Sequence, residues 1–413
     1  MSMSQRKKDS LLIFLCWLCY TASYLGRYSY NANINLILSD FGISHGSAGL
    51  VTTLFFFSYG VGQIVNGILC RFYPKRQVIA GALALSAAIN LFVYAGAPFE
   101  AIKYLWFVNG VVLSILWSSL VLTLSEHIAK ERLGRAIVVM NTTVAIGNFI
   151  CYGLAGLFSA AGMYKLSFLT AAVVMLATGA LWFFLYPSVS DGESFLPEKP
   201  KGGSAGGKKR ADVWLLTVVI LLAVFAAACN LIKDGLHTWT PSVLSETFGF
   251  ENSNSVFLSM ALNLTAVLGS IIATQIHKKV ENFVDLSTLL YAVMTGFLAV
   301  IVFTLQTSFF AVFGSFACVI MSTHSINAVI TSMAPMYLRE KCNPGLLSGI
   351  LNGCCYIGST IASYGLGALA DGNGWTYVFL LLFGVSVLIT AIGIVYITFR
   401  KLRNRRKALA EAK

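Results

Sequence analysis

Two cations sit where apolar sequence should exclude them. Arg27 lies in "YTASYLGRYSYNANINLILSDFG" and Lys233 in "ACNLIKDGLHTWTPSVLSETFG". A charged side chain at the centre of a bilayer costs about 2.5–3.5 kcal/mol on insertion scales and is functional by default. The chemistry such groups offer is the binding of an anion. Asp234 follows Lys233 directly and His237 lies one turn on, a spacing that brings the three near one helix face. Asp234 and His237 are therefore candidates for proton coupling, since buried carboxylates and imidazoles can titrate near neutrality. The plainer alternatives are that Asp234 neutralises a cation in a structural pair and that His237 is a silent hydrogen-bonder near the mouth.

Other polar residues inside apolar sequence complete the candidate set. Tyr20, Tyr24 and Tyr356 offer hydroxyls on rigid rings. Asn141, Asn352 and Gln63 suit hydrogen bonding to a substrate, although such side chains also hold helices together. His324, in "MSTHSINAV", is either a ligand or a satisfied interhelical hydrogen-bonder. No phosphate loop, zinc motif or nucleophile elbow is present. The reading therefore assigns no catalytic residue, no metal site and no cofactor, and takes the chain not to be an enzyme.

The elements that position these residues follow from composition. Hydrophobic residues make up 57% of the 413 and charged residues 11%, against about 25% charged in soluble domains. The expected fold is an all-α membrane protein with twelve spans, near 11–38, 46–70, 77–97, 100–126, 133–160, 164–187, 212–243, 253–277, 283–304, 306–338, 343–371 and 374–399. They group into a six-helix bundle at 1–187 and a second at 211–399. Between them "SVSDGESFLPEKPKGGSAGGKKR" reads as a flexible linker, 188–210, and a basic tail follows at 400–413. The basic residues gather in the N-terminal tail, the linker, the C-terminal tail and alternate loops; the other loops carry only Lys103 and Lys165. By the positive-inside rule both termini and the linker are cytoplasmic. The net charge of +12 thus reflects topology and contact with anionic lipid, not nucleic-acid binding. The odd count of nine cysteines, including Cys16 and Cys19, reads as small apolar filler without a disulfide framework.

The two halves resemble each other. "GRAIVVMNTTVAIG" and "GLLSGILNGCCYIG" place Gly134, Asn141 and Gly147 in register with Gly345, Asn352 and Gly358. Arg27 and Lys233 are each followed by a Phe-Gly exit, Phe41-Gly42 and Phe248-Gly249. A duplicated six-helix unit puts its substrate site near the midplane, where the halves face each other. Arg27 and Lys233 are then expected to converge on one water-filled cavity.

The whole chain resembles the major facilitator superfamily, and several stretches look like its organophosphate:phosphate antiporters for glycerol 3-phosphate and hexose phosphates. "YTASYLGRYSY" resembles that family's first helix, with a substrate-binding arginine at Arg27 and tyrosines at Tyr20 and Tyr24. "LIKDGLHTWTPSVL" resembles its seventh, whose second phosphate-binding arginine falls on Lys233. "SGILNGCCYIGSTIASYGLGALADGNGW" resembles its eleventh, with a pocket tyrosine at Tyr356. Departures are clear. Lys cannot make the bidentate fork that Arg offers a phosphate. A family lysine aligns with Gln63 and a family histidine with Val144. Loop "GILCRFYPKR" keeps the gating motif's basic residues but lacks its Asp, which predicts a weakened charge lock.

The resemblance implies a secondary transporter, acting as a monomer in the bacterial inner membrane. It moves a small organic anion, a phosphorylated metabolite or a carboxylate, by alternating access. Inorganic phosphate antiport or proton symport supplies the coupling. The alternative is a receptor with the transporter fold that binds a phosphorylated metabolite and signals to a partner.

Overall fold

Long apolar runs become helices because lipid offers no partner to a backbone N–H or C=O, and a helix satisfies both internally. The computed structural model describes residues 5–190, 213–338 and 344–411. Among these there is no strand and there are twelve long helices. They are α1 (Gln5–Ala32), α2 (His45–Leu69), α3 (Lys75–Tyr94), α4 (Phe99–His127), α5 (Lys130–Ala160), α6 (Leu166–Ser190), α7 (Val213–Phe248), α8 (Asn252–His277), α9 (Phe283–Thr304), α10 (Phe309–Asn327), α11 (Pro344–Asn373) and α12 (Trp375–Glu411). Eleven are long and apolar enough to cross a membrane. The exception is α11, long enough at 30 residues but enriched in Gly, Ser and Asn. Large apolar side chains such as Phe184, Phe303 and Phe310 face outward, while Ser86, Asn90 and Asn109 are buried. That inversion marks a chain whose solvent is lipid, and the fold is an all-α membrane protein.

Four spans differ from the simple expectation. The first is interrupted at Asn33, whose amide donates to Ser29 O at 2.8 Å, and resumes as Ile34–Phe41. The seventh continues to Phe248 with Pro241 inside it. The tenth is not one α-helix, because α10 gives way to a π-helical stretch, Ala328–Met333, and a short turn of helix, Ala334–Tyr337. The twelfth runs on through the basic segment to Glu411. Most of the linker, from residue 191, lies outside the described residues.

The internal repeat is visible in the backbone. Gly42 (φ 59°) ends the first span and Gly249 (φ 67°) ends α7. Both Phe-Gly exits are thus left-handed turns that only glycine adopts without strain. Gly147 of α5 lies against α1, where an added Cβ would stand 2.6 Å from Tyr24 Cβ. Its counterpart Gly358 of α11 lies against α7, where a Cβ would stand 1.9 Å from Ala227 O.

Contacts divide the chain into two compact units, residues 1–212 with 240–264, and residues 213–239 with 265–413. In the first, α1 packs on α5 and α6, α2 on α4, and α3 on α6. By contacts, the C-terminal end of α7 and the N-terminal half of α8 go with this unit. Polar ties explain why. Ser242 donates to Asn35 Oδ1 at 2.5 Å, Asn35 Nδ2 donates to Asn252 Oδ1 at 3.2 Å, and His45 Nε2 meets Glu246 Oε1 at 2.7 Å. Gly156 of α5 leaves room for the ring of Phe257, which an added Cβ would approach to 2.8 Å.

The loop lacking the gating Asp is not without a charge partner, since Lys75 at the start of α3 is bonded to Glu126 of α4. Arg76 beside it donates to Phe183 O at 2.7 Å and stacks on that ring at 4.1 Å. In the second unit, α9 packs on α10 and α12, and Arg400 of α12 donates to Asp285 of α9 at 2.5 Å. The α3–α6 and α9–α12 pairs are equivalent under the repeat.

Candidate functional site

In the first unit the candidate site is built around Arg27. Its side chain is buried, and five aromatic rings surround the guanidinium. Tyr59 is nearest at 4.7 Å, followed by Tyr28 at 5.0 Å, Phe55 and Phe56 at 5.3 Å, and Tyr24 at 5.7 Å. A cation over an aromatic face gains about 0.5–1 kcal/mol when exposed and more when desolvated. Tyr20, Tyr24 and Tyr28 repeat at every fourth residue of α1, so their rings lie along one face. Tyr20 packs edge-on to Tyr24 at 5.5 Å, and Tyr24 stacks on Tyr28 at 5.7 Å. Tyr20 also tilts against Trp117 at 4.8 Å and brings its hydroxyl to 3.4 Å from that of Tyr59. Cation and phenol hydroxyls are the parts of an anion site.

The backbone just before Arg27 is held by two asparagines. Asn109 Nδ2 of α4 donates to Gly26 O at 3.0 Å, and Asn90 Nδ2 of α3 donates to it at 3.3 Å. Ser86 donates to Asn109 Oδ1 at 2.6 Å, and Asn90 Nδ2 also reaches Ser86 O at 2.9 Å. Gly26 leaves room for the thioether end of Met175, which an added Cβ would approach to 2.6 Å. The clamp fixes the height and rotation of α1 where it carries its cation.

The second unit holds a different arrangement. Lys233 Nζ lies 3.4 Å from Asp234 Oδ1 and donates to Asn230 Oδ1 at 2.6 Å. Ser359 of α11 donates to Asp234 Oδ2. Asn230 Nδ2 donates to Asn327 Oδ1 at 2.9 Å, so α7, α10 and α11 share one polar cluster. His237 and His324 meet with ring centroids 5.8 Å apart. His324 Nε2 is buried without a hydrogen-bond partner among the described residues.

The structure thus brings Arg27, Tyr20 and Tyr24 together in one unit, and Lys233, Asp234, His237 and His324 on neighbouring helices in the other. Gln63 lies one turn beyond Tyr59 on α2 and is half-buried. Asn352 and Tyr356 are half-buried, one turn apart on α11. The side chain of Asn141 lies outside the described residues. Sequence reasoning missed Tyr28 and Tyr59, although both continue a spacing of four, from Tyr24 and towards Gln63. It also missed Asn230 and Ser359, which stand one turn before Lys233 and one turn after Cys355. The clamp formed by Asn90 and Asn109 left no local signal, because its target is a backbone carbonyl on another helix.

The chain has relatives among known proteins. The chain is 23% identical over 402 residues to sugar phosphate exchanger 3 of Homo sapiens, covering 85% of this chain and 79% of that protein. It is 21% identical over 401 residues to a probable hexose phosphate transport protein of Chlamydia pneumoniae, covering 90% and 87%. A probable sulfoacetate transporter of Cupriavidus necator is 24% identical over 295 residues, covering 68% of each. In fold, the chain matches a bacterial homologue of the human lysosomal transporter Spinster, with a TM-score of 0.76 at 13% identity over 94% of this chain and 96% of that one. These relatives are transporters and exchangers, as the organophosphate antiporter resemblance implied, and the chain is a multi-pass transporter protein rather than an enzyme. The model of the Major Facilitator Superfamily matches residues 16–343, and the chain belongs to that family.

Proposed function

We propose that this transporter carries a small organic anion of the sugar-phosphate class by alternating access, with Arg27 and Lys233 as the groups that bind it. Inorganic phosphate is its exchange partner or a proton its companion. The carrier is a monomer in the bacterial inner membrane with both termini cytoplasmic. The observation that carries the reading is Arg27, a guanidinium buried in mid-span among five rings and held in place by a clamp on Gly26. A guanidinium among rings offers an incoming anion a flat fork of N–H donors. Tyr20, Tyr24 and Tyr59 bring hydroxyl donors, with Gln63, Asn141, Asn352, Tyr356 and His324 as further candidates for substrate contact. Asp234 and His237 are the candidates for proton coupling. The names of the sugar phosphate exchanger and hexose phosphate transport protein support the substrate class.

The test is counterflow in proteoliposomes. Vesicles loaded with labelled inorganic phosphate should release label when glucose 6-phosphate is added outside, and Arg27→Ala should abolish that release while still inserting and folding. Binding with neither phosphate exchange nor proton-driven uptake would make the chain a receptor. Exchange at the wild-type rate in Arg27→Ala would make the cation structural.

A further inference from the structure

Lys233 already has an anion beside it. Neighbours in a helix do not normally face each other, yet Lys233 and Asp234 turn their side chains together to an N–O distance of 3.4 Å. The carboxylate is the more deeply buried partner, its side chain 4% exposed against 19% for the lysine. Its second oxygen takes the hydroxyl of Ser359, and that hydroxyl has another acceptor in reach, Cys355 O at 3.1 Å. On the other side Asn230 holds the ammonium and is itself tied to Asn327, the last residue before the π-helical stretch of α10. Such stretches recur at functional sites.

We propose that Asp234 is a built-in counter-anion for Lys233, which the transported anion displaces and which takes up a proton as it is displaced. One anion and one proton are then bound in the same step. The inference rests on the reading of Lys233 as an anion ligand. In that step the ammonium–carboxylate contact breaks and the ammonium–substrate contact forms. The freed carboxylate accepts one proton from the aqueous phase, and nothing is oxidised or reduced. A buried carboxylate stripped of its cation is costly, and the neutral acid avoids that cost. Ser359 is suited to both states, because a hydroxyl both donates and accepts. It donates to Asp234 in the paired state. In the protonated state it accepts from the carboxyl and turns its own hydrogen to Cys355 O.

Other titratable groups stand around the pair. His237 lies on α7 itself, with His324 of α10 against it. The thiol of Cys355 on α11 donates to Asn327 Oδ1 at 3.7 Å, and that of Cys229 on α7 to Thr323 O at 3.2 Å. Helix α8 meets His324 through Gly269, which brings no charge. The two imidazoles are the rival proton acceptors.

Sulfoacetate is the useful probe, because its sulfonate and carboxylate are both ionised at neutral pH and any proton taken up belongs to the protein. Calorimetric titration of the purified protein in two buffers of different ionisation enthalpy counts that proton. The wild type should take up about one proton per anion bound. Asp234→Asn should take up none and should bind about tenfold more tightly, having lost its internal competitor. Should that variant fail to fold, Asp234→Ser removes the same carboxylate. Binding without proton uptake in the wild type, uptake that survives in Asp234→Asn, or weaker binding in that variant would each overturn the proposal. So would loss of uptake in His237→Gln or His324→Gln with Asp234 intact and still paired. If neither sulfoacetate nor glucose 6-phosphate binds any form of the protein, the anion reading itself fails, and this inference with it.

Discussion

Gly358→Ala adds a single carbon where α11 lies against α7. The new Cβ would stand 1.9 Å from Ala227 O, 2.8 Å from Ala227 C and 2.9 Å from Leu231 N. All three are backbone atoms of α7, so no rotamer change relieves them. To restore ordinary contact, α11 must move from α7 by roughly 1.5 Å, since repulsion rises steeply inside van der Waals distance. Overpacking of this kind costs about 1–3 kcal/mol. The same movement acts on the neighbouring residue, because Ser359 is what holds Asp234 Oδ2, and a hydrogen bond stretched by that amount is lost. Two assays follow on one sample: the thermal midpoint of the purified protein, and anion counterflow in proteoliposomes. Both should fall. Gly296→Ala supplies the control, because a Cβ there meets nothing within 4 Å, and removing a helical glycine should stabilise by about 0.5–1 kcal/mol. A Gly358→Ala protein with the wild-type midpoint and counterflow rate would refute the close approach of α7 and α11 and the dependence of Asp234 on it.

Three further outcomes follow. Arg27→Lys keeps the charge but loses the flat fork, and the loss of one charged hydrogen bond, about 1.5–3 kcal/mol, should lower kcat/KM for anion exchange roughly 10- to 100-fold. Asn109→Ala removes a donor to Gly26 O and orphans the Ser86 hydroxyl, which should cost about 1–3 kcal/mol of stability by chemical denaturation. The Ser86→Ala, Asn109→Ala double variant should recover part of that, because both partners are then gone. Glu246→Gln should loosen the contact with His45, seen as faster amide exchange at the C-terminal end of α7 and no change in α9.

How much of this was legible in the chain depends on what each feature is made of. The spans were readable because lipid demands long apolar helices, and Arg27 and Lys233 stood out against them for the same reason. The repeat was readable from Gly147 and Gly358, since close helix approach needs glycine at one place in each half, and from the two Phe-Gly exits. The ring box around Arg27 was half legible. Its α1 members follow a spacing of four, but Phe55, Phe56 and Tyr59 come from another helix, and sequence periodicity does not say which faces meet. The Lys75–Glu126 pair was hidden in the same way, because the missing Asp of the loop is answered by a carboxylate from α4. The π-helical stretch of the tenth span ends at Ala334-Pro335, where proline has no N–H to continue the regular ladder.

Anion binding by Arg27 is the step on which transport depends. The direct measurement is the thermal shift that saturating glucose 6-phosphate produces in purified wild-type and Arg27→Ala protein, with the midpoint without ligand recorded for both. A ligand present at about one hundred times its dissociation constant stabilises the native state by about 2.7 kcal/mol. With Arg27 as the anion ligand, that shift is expected in the wild type and lost in Arg27→Ala, with the unliganded midpoint lowered by no more than the lost ring contacts explain. An equal shift in both proteins would contradict it.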